Sequence, residues 1–511
     1  MNQVRKNFLS NIFMFCVNIV VGLLYTPFLV KMLGTEAYGI VPLALILNQY
    51  ISILTDSLRG AVTRFYSIEY RQNNFDKASN YLTASVVLSL FLAVVLIPLS
   101  WIPISNIDSL LNIPDNYLSS AKALFLLTVI SLFLSVVSNC INITIFADNR
   151  LDYMNYLKIV RNVLKLLINV IIFLFVAVDI VNIGIAYVLT ELIVLLLSIG
   201  YYKHCKPRGI HFSFKNFYLK DVRPIFSMIT WVSLTSLASV FIYRIDALFI
   251  NKYFGLYSTG IVGAISEFGS YCLSMTAILS SLLSPLVLIA YSKKNHDDVV
   301  RLTIRGGYII GLYSSLLCGV IMGCSCPILL LWLNEDFAAH YLWMMIKLSS
   351  LSLVTMGSIY AYTNHCCNQV KLPALLSVLI SLVYILLCVI CLEAGMNLTG
   401  FLILNFVASI SQAMLMSQAV FLKSYPSNLT IVVRKSVKVI IYLSIVTFIS
   451  WCYCNIVNIS NLVVLITSLV LLVLIGFVLA FIFMDREDID TLDLFIPIKA
   501  IMQRVKLDKL K

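Results

Sequence analysis

Stretches of about twenty uninterrupted apolar residues, each long enough to cross the hydrocarbon core of a bilayer as a helix, recur fourteen times along this chain and constrain its fold more than any other feature. They lie near 9–31, 38–62, 80–104, 119–143, 158–178, 182–202, 225–250, 258–290, 303–333, 341–364, 372–393, 398–422, 437–455 and 461–484. Strands of a membrane barrel would alternate apolar and polar residues over ~10 positions. These runs are continuously apolar and longer, so helices are expected. Of the 511 residues 60% are hydrophobic and 12% charged, against roughly 25% charged in ordinary soluble domains. That balance excludes a soluble enzyme, a disordered chain and a nucleic-acid reader. It leaves an all-α polytopic membrane protein.

The formal charge of +12 reports topology rather than an acidic partner. With the N-terminus placed in the cytoplasm, 29 of the 36 Lys and Arg fall in inner segments and only Lys31 and Lys252 in outer ones; Arg59, Lys122, Lys165, Arg244 and Lys347 lie within spans. This asymmetry is the positive-inside pattern, and it predicts fourteen spans with both termini cytoplasmic. The first run is full length and reads as a span, not a cleavable signal. The thirteen cysteines are odd in number and mostly within spans, so no disulfide framework is expected. Cys324/Cys326 and Cys388/Cys391 have no further ligands near them in sequence and read as small packing residues. The five histidines have no metal spacing and no paired nucleophile. Neither a cofactor nor a catalytic centre is expected.

A repeat runs through the chain. Lys31-Met-Leu-Gly34-Thr-Glu-Ala-Tyr-Gly39-Ile-Val41 matches Lys252-Tyr-Phe-Gly255-Leu-Tyr-Ser-Thr-Gly260-Ile-Val262, so the only two outer lysines are equivalent. Tyr66-Ser67 and Tyr291-Ser292 precede equivalent charged loops. The offset covers six helices, so the halves point the same way through the membrane. Such repeats are related by an axis along the membrane normal, with substrate sites between them. The expected organisation is an N-lobe over 1–203, an interlobe linker over 204–223, a C-lobe over 224–423, an extra helix pair over 424–484 and a cytoplasmic tail over 485–511, amphipathic from about Pro497.

These residues resemble the flippases that export O-antigen and related polysaccharide repeat units. The pattern is Asn11 and Asn18 in the first helix, Pro27, Leu33-Gly34-x-x-x-Tyr38-Gly39, then Arg59 and Arg64; the second half adds Tyr243-Arg244-Ile-Asp246, Phe254-Gly255 and Gly260. The family shares a superfamily with multidrug extruders and lipid II flippases. The resemblance implies transport across a bacterial cytoplasmic (inner) membrane without covalent chemistry. The substrate would be an undecaprenyl-diphosphate-linked oligosaccharide, moved from inner to outer leaflet by alternating access. Partners would be membrane lipids, H+ or Na+ as coupling ion, and polysaccharide assembly proteins. No nucleic acid is implied.

Moving a diphosphate through hydrocarbon calls for a polar, cationic cavity, because a charge at the bilayer centre costs at least ~2.5 kcal/mol. Arginine suits the task, since its planar fork binds two oxygens at once. In the second helix Asn48, Ser52, Asp56, Arg59 and Thr63 form one stripe. Arg59 is a candidate phosphate contact and Asp56 a candidate coupling group; interfacial snorkelling with an insertion pair is the rival account. Arg244 and Lys347 are further candidate cavity cations. Glu267, near the middle of its span, is the second coupling candidate. Asn11, Asn18 and Tyr25 recur every seven residues, either facing the cavity or bonding to another helix. Lys158, Arg161, Asn162, Lys165 and Asn169 share one face of the fifth span, read as contact with anionic lipid. Glu191 reads as a buried hydrogen-bonding group. The rivals to a flippase are a multidrug extruder, a passive scramblase or assembly scaffold, and a membrane polymerase or ligase. The last would need a large outer catalytic loop, and the clearest outer loop, 105–118, is short.

Overall fold

A computed structural model describes residues 3–148, 150–205, 210, 233, 245–367, 369, 371–457 and 459–493. All regular structure among them is helical. The helices are α1 (Gln3–Leu33), α2 (Thr35–Tyr38), α3 (Ile40–Arg71), α4 (Phe75–Ser105), α5 (Ile107–Leu110), α6 (Asp115–Ile141), α7 (Ile143–Ala147), α8 (Leu151–Phe175) and α9 (Ile180–Cys205). Next come α10 (Asp246–Ser292), α11 (His296–Gly323), α12 (Ser325–Trp332), α13 (Glu335–Ala338), α14 (Tyr341–Ser349), α15 (Leu351–Cys366) and α16 (Lys371–Glu393). The last are α17 (Leu398–Gln412), which continues through a wider π turn into α18 (Val420–Ser424), then α19 (Leu429–Ile456), α20 (Leu462–Phe483) and α21 (Arg486–Asp493).

Among the described residues twelve helices are long and apolar enough to cross a membrane. Two of the fourteen expected spans are not in that set. The run at 225–250 falls almost wholly outside the described residues. The run at 158–178 is α8, 25 residues long, but Lys158, Arg161 and Lys165 make it too charged to count by composition. The chain gathers into two units, 1–263 and 264–511.

Several helix starts are set locally by asparagine. Asn295, Asn334, Asn397 and Asn461 each precede a helix and accept a hydrogen bond from the backbone N–H three residues on. The side chain thus satisfies one of the donors that a helix N-terminus leaves open.

In the first unit the seven-residue polar repeat of α1 meets a repeat of the same spacing on α8. Asn155 Nδ2 donates to Asn11 Oδ1 at 2.8 Å, Asn162 Nδ2 to Asn18 Oδ1 at 2.5 Å, and Asn169 Nδ2 to the Tyr25 hydroxyl at 2.9 Å. Each rung joins residues 144 apart, so the two helices run parallel and in register. Asn7 Oδ1 adds a bond from the Asp152 N–H at 3.1 Å. A bond of this kind between apolar helices contributes about 0.6 kcal/mol on average and up to about 1.7. Asn162→Leu is therefore expected to lower stability within that range, read as the thermal unfolding midpoint of the purified protein in detergent.

The two repeated glycine loops meet at one end of this unit. Gly34 and Gly255 occupy equivalent positions with φ of 83° and 80°, a region open to glycine and costly for other residues. A Cβ on Gly39 would stand 2.4 Å from the Leu256 carbonyl oxygen, and one on Gly260 would stand 2.4 Å from that of Thr35. Thr35 and Leu256 are themselves repeat equivalents, so the contact is reciprocal. This junction is why the start of α10 belongs with α3.

In the second unit α21 docks on α11 and α19 through one buried carboxylate. Asp488 is fully buried. Its Oδ1 accepts from Lys435 Nζ at 2.7 Å and Arg305 Nη1 at 2.9 Å; its Oδ2 accepts from Lys435 Nζ at 2.9 Å and the Asp485 N–H at 3.0 Å. Glu487 also engages Arg305. The Tyr308 ring lies under Lys435 Nζ at 4.1 Å, and its hydroxyl donates to the Phe483 carbonyl at 2.8 Å. The amphipathic segment expected from Pro497 onward lies outside the described residues.

Candidate functional site

Among the described residues of the first unit, a group of charges sits where α8 and α9 meet, beside the polar ladder. Arg161 Nε lies 2.7 Å from Glu191 Oε1, and both side chains are largely buried, at 22% and 13% exposure. Arg161 Nη2 also donates to the Ser135 hydroxyl on α6 at 3.4 Å. One turn along α8, the Lys165 ammonium stands over the Tyr187 ring at 3.9 Å and the Tyr25 ring at 5.0 Å. Such cation–π contacts hold a cation without neutralising it. The hydroxyls of Tyr25 and Tyr187 are bonded to each other at 3.4 Å. One turn in the other direction, Lys158 is within electrostatic reach of both Arg161 and Arg59. Arg59 in turn pairs with Asp56 at 3.2 Å on α3, both partners about half exposed.

The side chains Arg59, Lys158, Arg161 and Lys165 thus form a chain of four cations, against the two carboxylates Asp56 and Glu191. The group carries an excess of two positive charges. Around the largely buried Arg161 and Glu191, low-dielectric surroundings strengthen the field of the group, and an added negative charge relieves it. The arrangement suits a ligand with two negative charges, to which it presents guanidinium forks and ammonium groups.

Among the residues expected from sequence to form a site, Asp56 and Arg59 are brought together, one turn apart on α3. Asn11 and Asn18 spend an amide oxygen each on α8, the interhelix alternative of the two accounts. Glu267 lies partly buried on α10, within electrostatic reach of Tyr271 one turn on, and Lys347 lies partly buried on α14. Both belong to the second unit. Arg244 lies outside the described residues. The sequence reading assigned Lys158, Arg161 and Lys165 to a lipid-facing stripe; the structure turns Arg161 and Lys165 inward, onto α9 and α1. The shared seven-residue phase of α1 and α8 was the signal that could have placed them. A separate hollow of about 310 Å³, lined by Leu43, Leu47, Tyr50, Phe125, Leu248 and Lys252 among others, is almost wholly apolar and offers a charged head group little.

Comparison with known proteins gives a consistent result. The family described as polysaccharide biosynthesis protein matches residues 4–286, more than half of the chain. A relative from Bacillus subtilis (strain 168), the uncharacterized membrane protein EpsK, is 27% identical over 431 residues, covering 83% of each chain. The lipid II flippase MurJ in an inward closed conformation superposes with a TM-score of 0.69 at 14% identity, covering 92% of this chain and 97% of its own. An inward-facing multidrug resistance MATE family transporter of the MOP superfamily gives the same TM-score at 13% identity, over 83% of this chain and 98% of its own. A MOP superfamily transporter from Pyrococcus furiosus, whose binding pocket is described as having reverse polarity, gives 0.64 at 16% identity, over 84% and 97%. At these identities the structural matches establish a shared fold.

Proposed function

The chain belongs to the polysaccharide biosynthesis protein family, and on that premise we propose that it flips a polyprenyl-diphosphate-linked oligosaccharide from the inner to the outer leaflet of a bacterial cytoplasmic membrane. The product would feed a cell-surface polysaccharide such as O-antigen, capsule or exopolysaccharide. In this reading fourteen helices span the bilayer, both termini are cytoplasmic, and the two like-oriented lobes alternate in exposing the site.

The observation that carries the reading is the excess of two positive charges formed by Arg59, Lys158, Arg161 and Lys165 against Asp56 and Glu191. A diphosphate diester carries two negative charges, which this group would balance. The prenyl chain needs no such site, since it stays in lipid. Arg244 and Lys347 are proposed as further cavity cations. Asp56 and Glu267 are proposed as the groups through which a proton or sodium gradient drives the cycle. An extruder of cationic drugs would need the opposite balance, more acids than bases.

The test is reconstitution in vesicles with a fluorescent polyprenyl-diphosphoryl sugar, followed by quenching from outside. The wild-type protein is expected to equilibrate the probe between leaflets, and Arg161→Gln to slow this by at least about tenfold, the weight of one charge-assisted phosphate contact. A wild-type rate equal to that of protein-free vesicles would remove the proposal.

A further inference from the structure

Among the described residues Glu191 is the acid in direct contact with Arg161, and that contact has an unusual form. The two charges are 2.7 Å apart, yet the Arg161 Nε–H is not directed at the carboxylate, and Glu191 Oε2 is buried with no hydrogen-bond partner among the described residues. The pair therefore lacks the two-pronged hydrogen bonding that a guanidinium and a carboxylate form when they are permanent partners. The Nε–H donor of Arg161 remains available, while Nη2 is spent on Ser135. Lys165, one turn away, likewise has aromatic rings rather than a hydrogen-bonded acid around it. The groups facing Glu191 are Arg161 and Lys165 from α8, with Ser135 from α6.

We infer that Glu191 is a built-in stand-in for one phosphate of the substrate: it occupies the cations of the empty protein and sets the minimum charge a ligand must bring to displace it. This rests on the diphosphate reading above. A head group with a single negative charge would exchange one anion for another of equal charge and still face the Glu191 carboxylate nearby. A head group with two charges gains the exchange and also balances the excess of two positive charges, of which a single charge would leave half. The membrane around the protein is full of single-phosphate lipids, and specificity is a difference between affinities that a repulsive element can supply. Glu191 would be that element.

The experiment compares two synthetic diesters of fixed charge, farnesyl-diphosphoryl-glucose and farnesyl-phosphoryl-glucose, titrated against the purified full-length protein in detergent. The wild type is expected to prefer the diphosphate by at least about tenfold. Glu191→Gln is expected to bring the two ligands within about threefold, chiefly by improved binding of the monophosphate. Glu191→Met, of similar volume and equally uncharged, repeats the measurement should the glutamine variant fail to fold. Glu191→Asp keeps the charge and is expected to keep the preference. An unchanged preference in the neutral variants, or a narrowing that comes from loss of diphosphate binding, overturns the inference and leaves the flippase reading standing. Absence of binding of either ligand to the wild type overturns that reading itself, and this inference with it.

Discussion

Asp488→Ala is expected to destabilise the C-terminal end of the second unit by about 3–5 kcal/mol, the range for removing one partner of a buried ion pair. The substitution leaves Lys435, which is 95% buried, and Arg305 facing each other with no buried acid between them. It also takes away the acceptor for the Asp485 N–H that turns the chain from α20 into α21. Glu487 and Asp485 are more than half exposed and compensate only weakly. The expected result is a lower unfolding midpoint in detergent, together with rapid proteolysis just after α20. Asp488→Leu combined with Lys435→Met should recover part of the loss, because replacing both partners by apolar groups is far less costly than orphaning one. Equal stability of wild type and Asp488→Ala would show that the docking rests on the other contacts of α21.

The glycine junction gives the second large effect. Alanine at Gly39 or at Gly260 drives a methyl group against a backbone carbonyl oxygen, which cannot rotate away as a side chain would. Relief requires α3 and α10 to part by about 1 Å, and overpacking of this order costs about 1–3 kcal/mol. The contact is reciprocal, so the two single variants should lose similar amounts of stability. The double variant should lose less than the sum, since one separation relieves both clashes. Thermal unfolding of the three variants checks this. Strict additivity would mean that the two contacts yield independently.

Sequence made visible what is decided locally or by repetition. Continuous apolar runs declare helices because burial in hydrocarbon tolerates little else, and eleven of the expected spans have counterparts that differ only in where they begin and end, while a twelfth, 258–290, continues a helix that starts at Asp246. Asp56 and Arg59 were paired from their spacing alone, since three residues on a helix fix the neighbour. The glycine loops were recognised as equivalent, but not that each presses on the other. Arg161 and Glu191 are thirty residues apart on different helices, and helix periodicity says which residues share a face without saying what that face meets. The partners of Asp488 lie 53 and 183 residues away, beyond any local rule. The asparagine ladder was half legible. Both seven-residue series stood in the sequence, but pairing them required knowing that α1 and α8 are neighbours.

That ladder also dictates which movements its two helices can share. Adjacent rungs are two helical turns apart, about 10.5 Å along the axis. If α1 pistoned past α8 by a single turn, every amide would face a gap between partners, and no bond would re-form until the slide had covered the full spacing. Tilting both helices together breaks nothing. The pair is thus geared to move as a single beam, tilting or shifting together, and the ladder opposes a slide of one helix past the other.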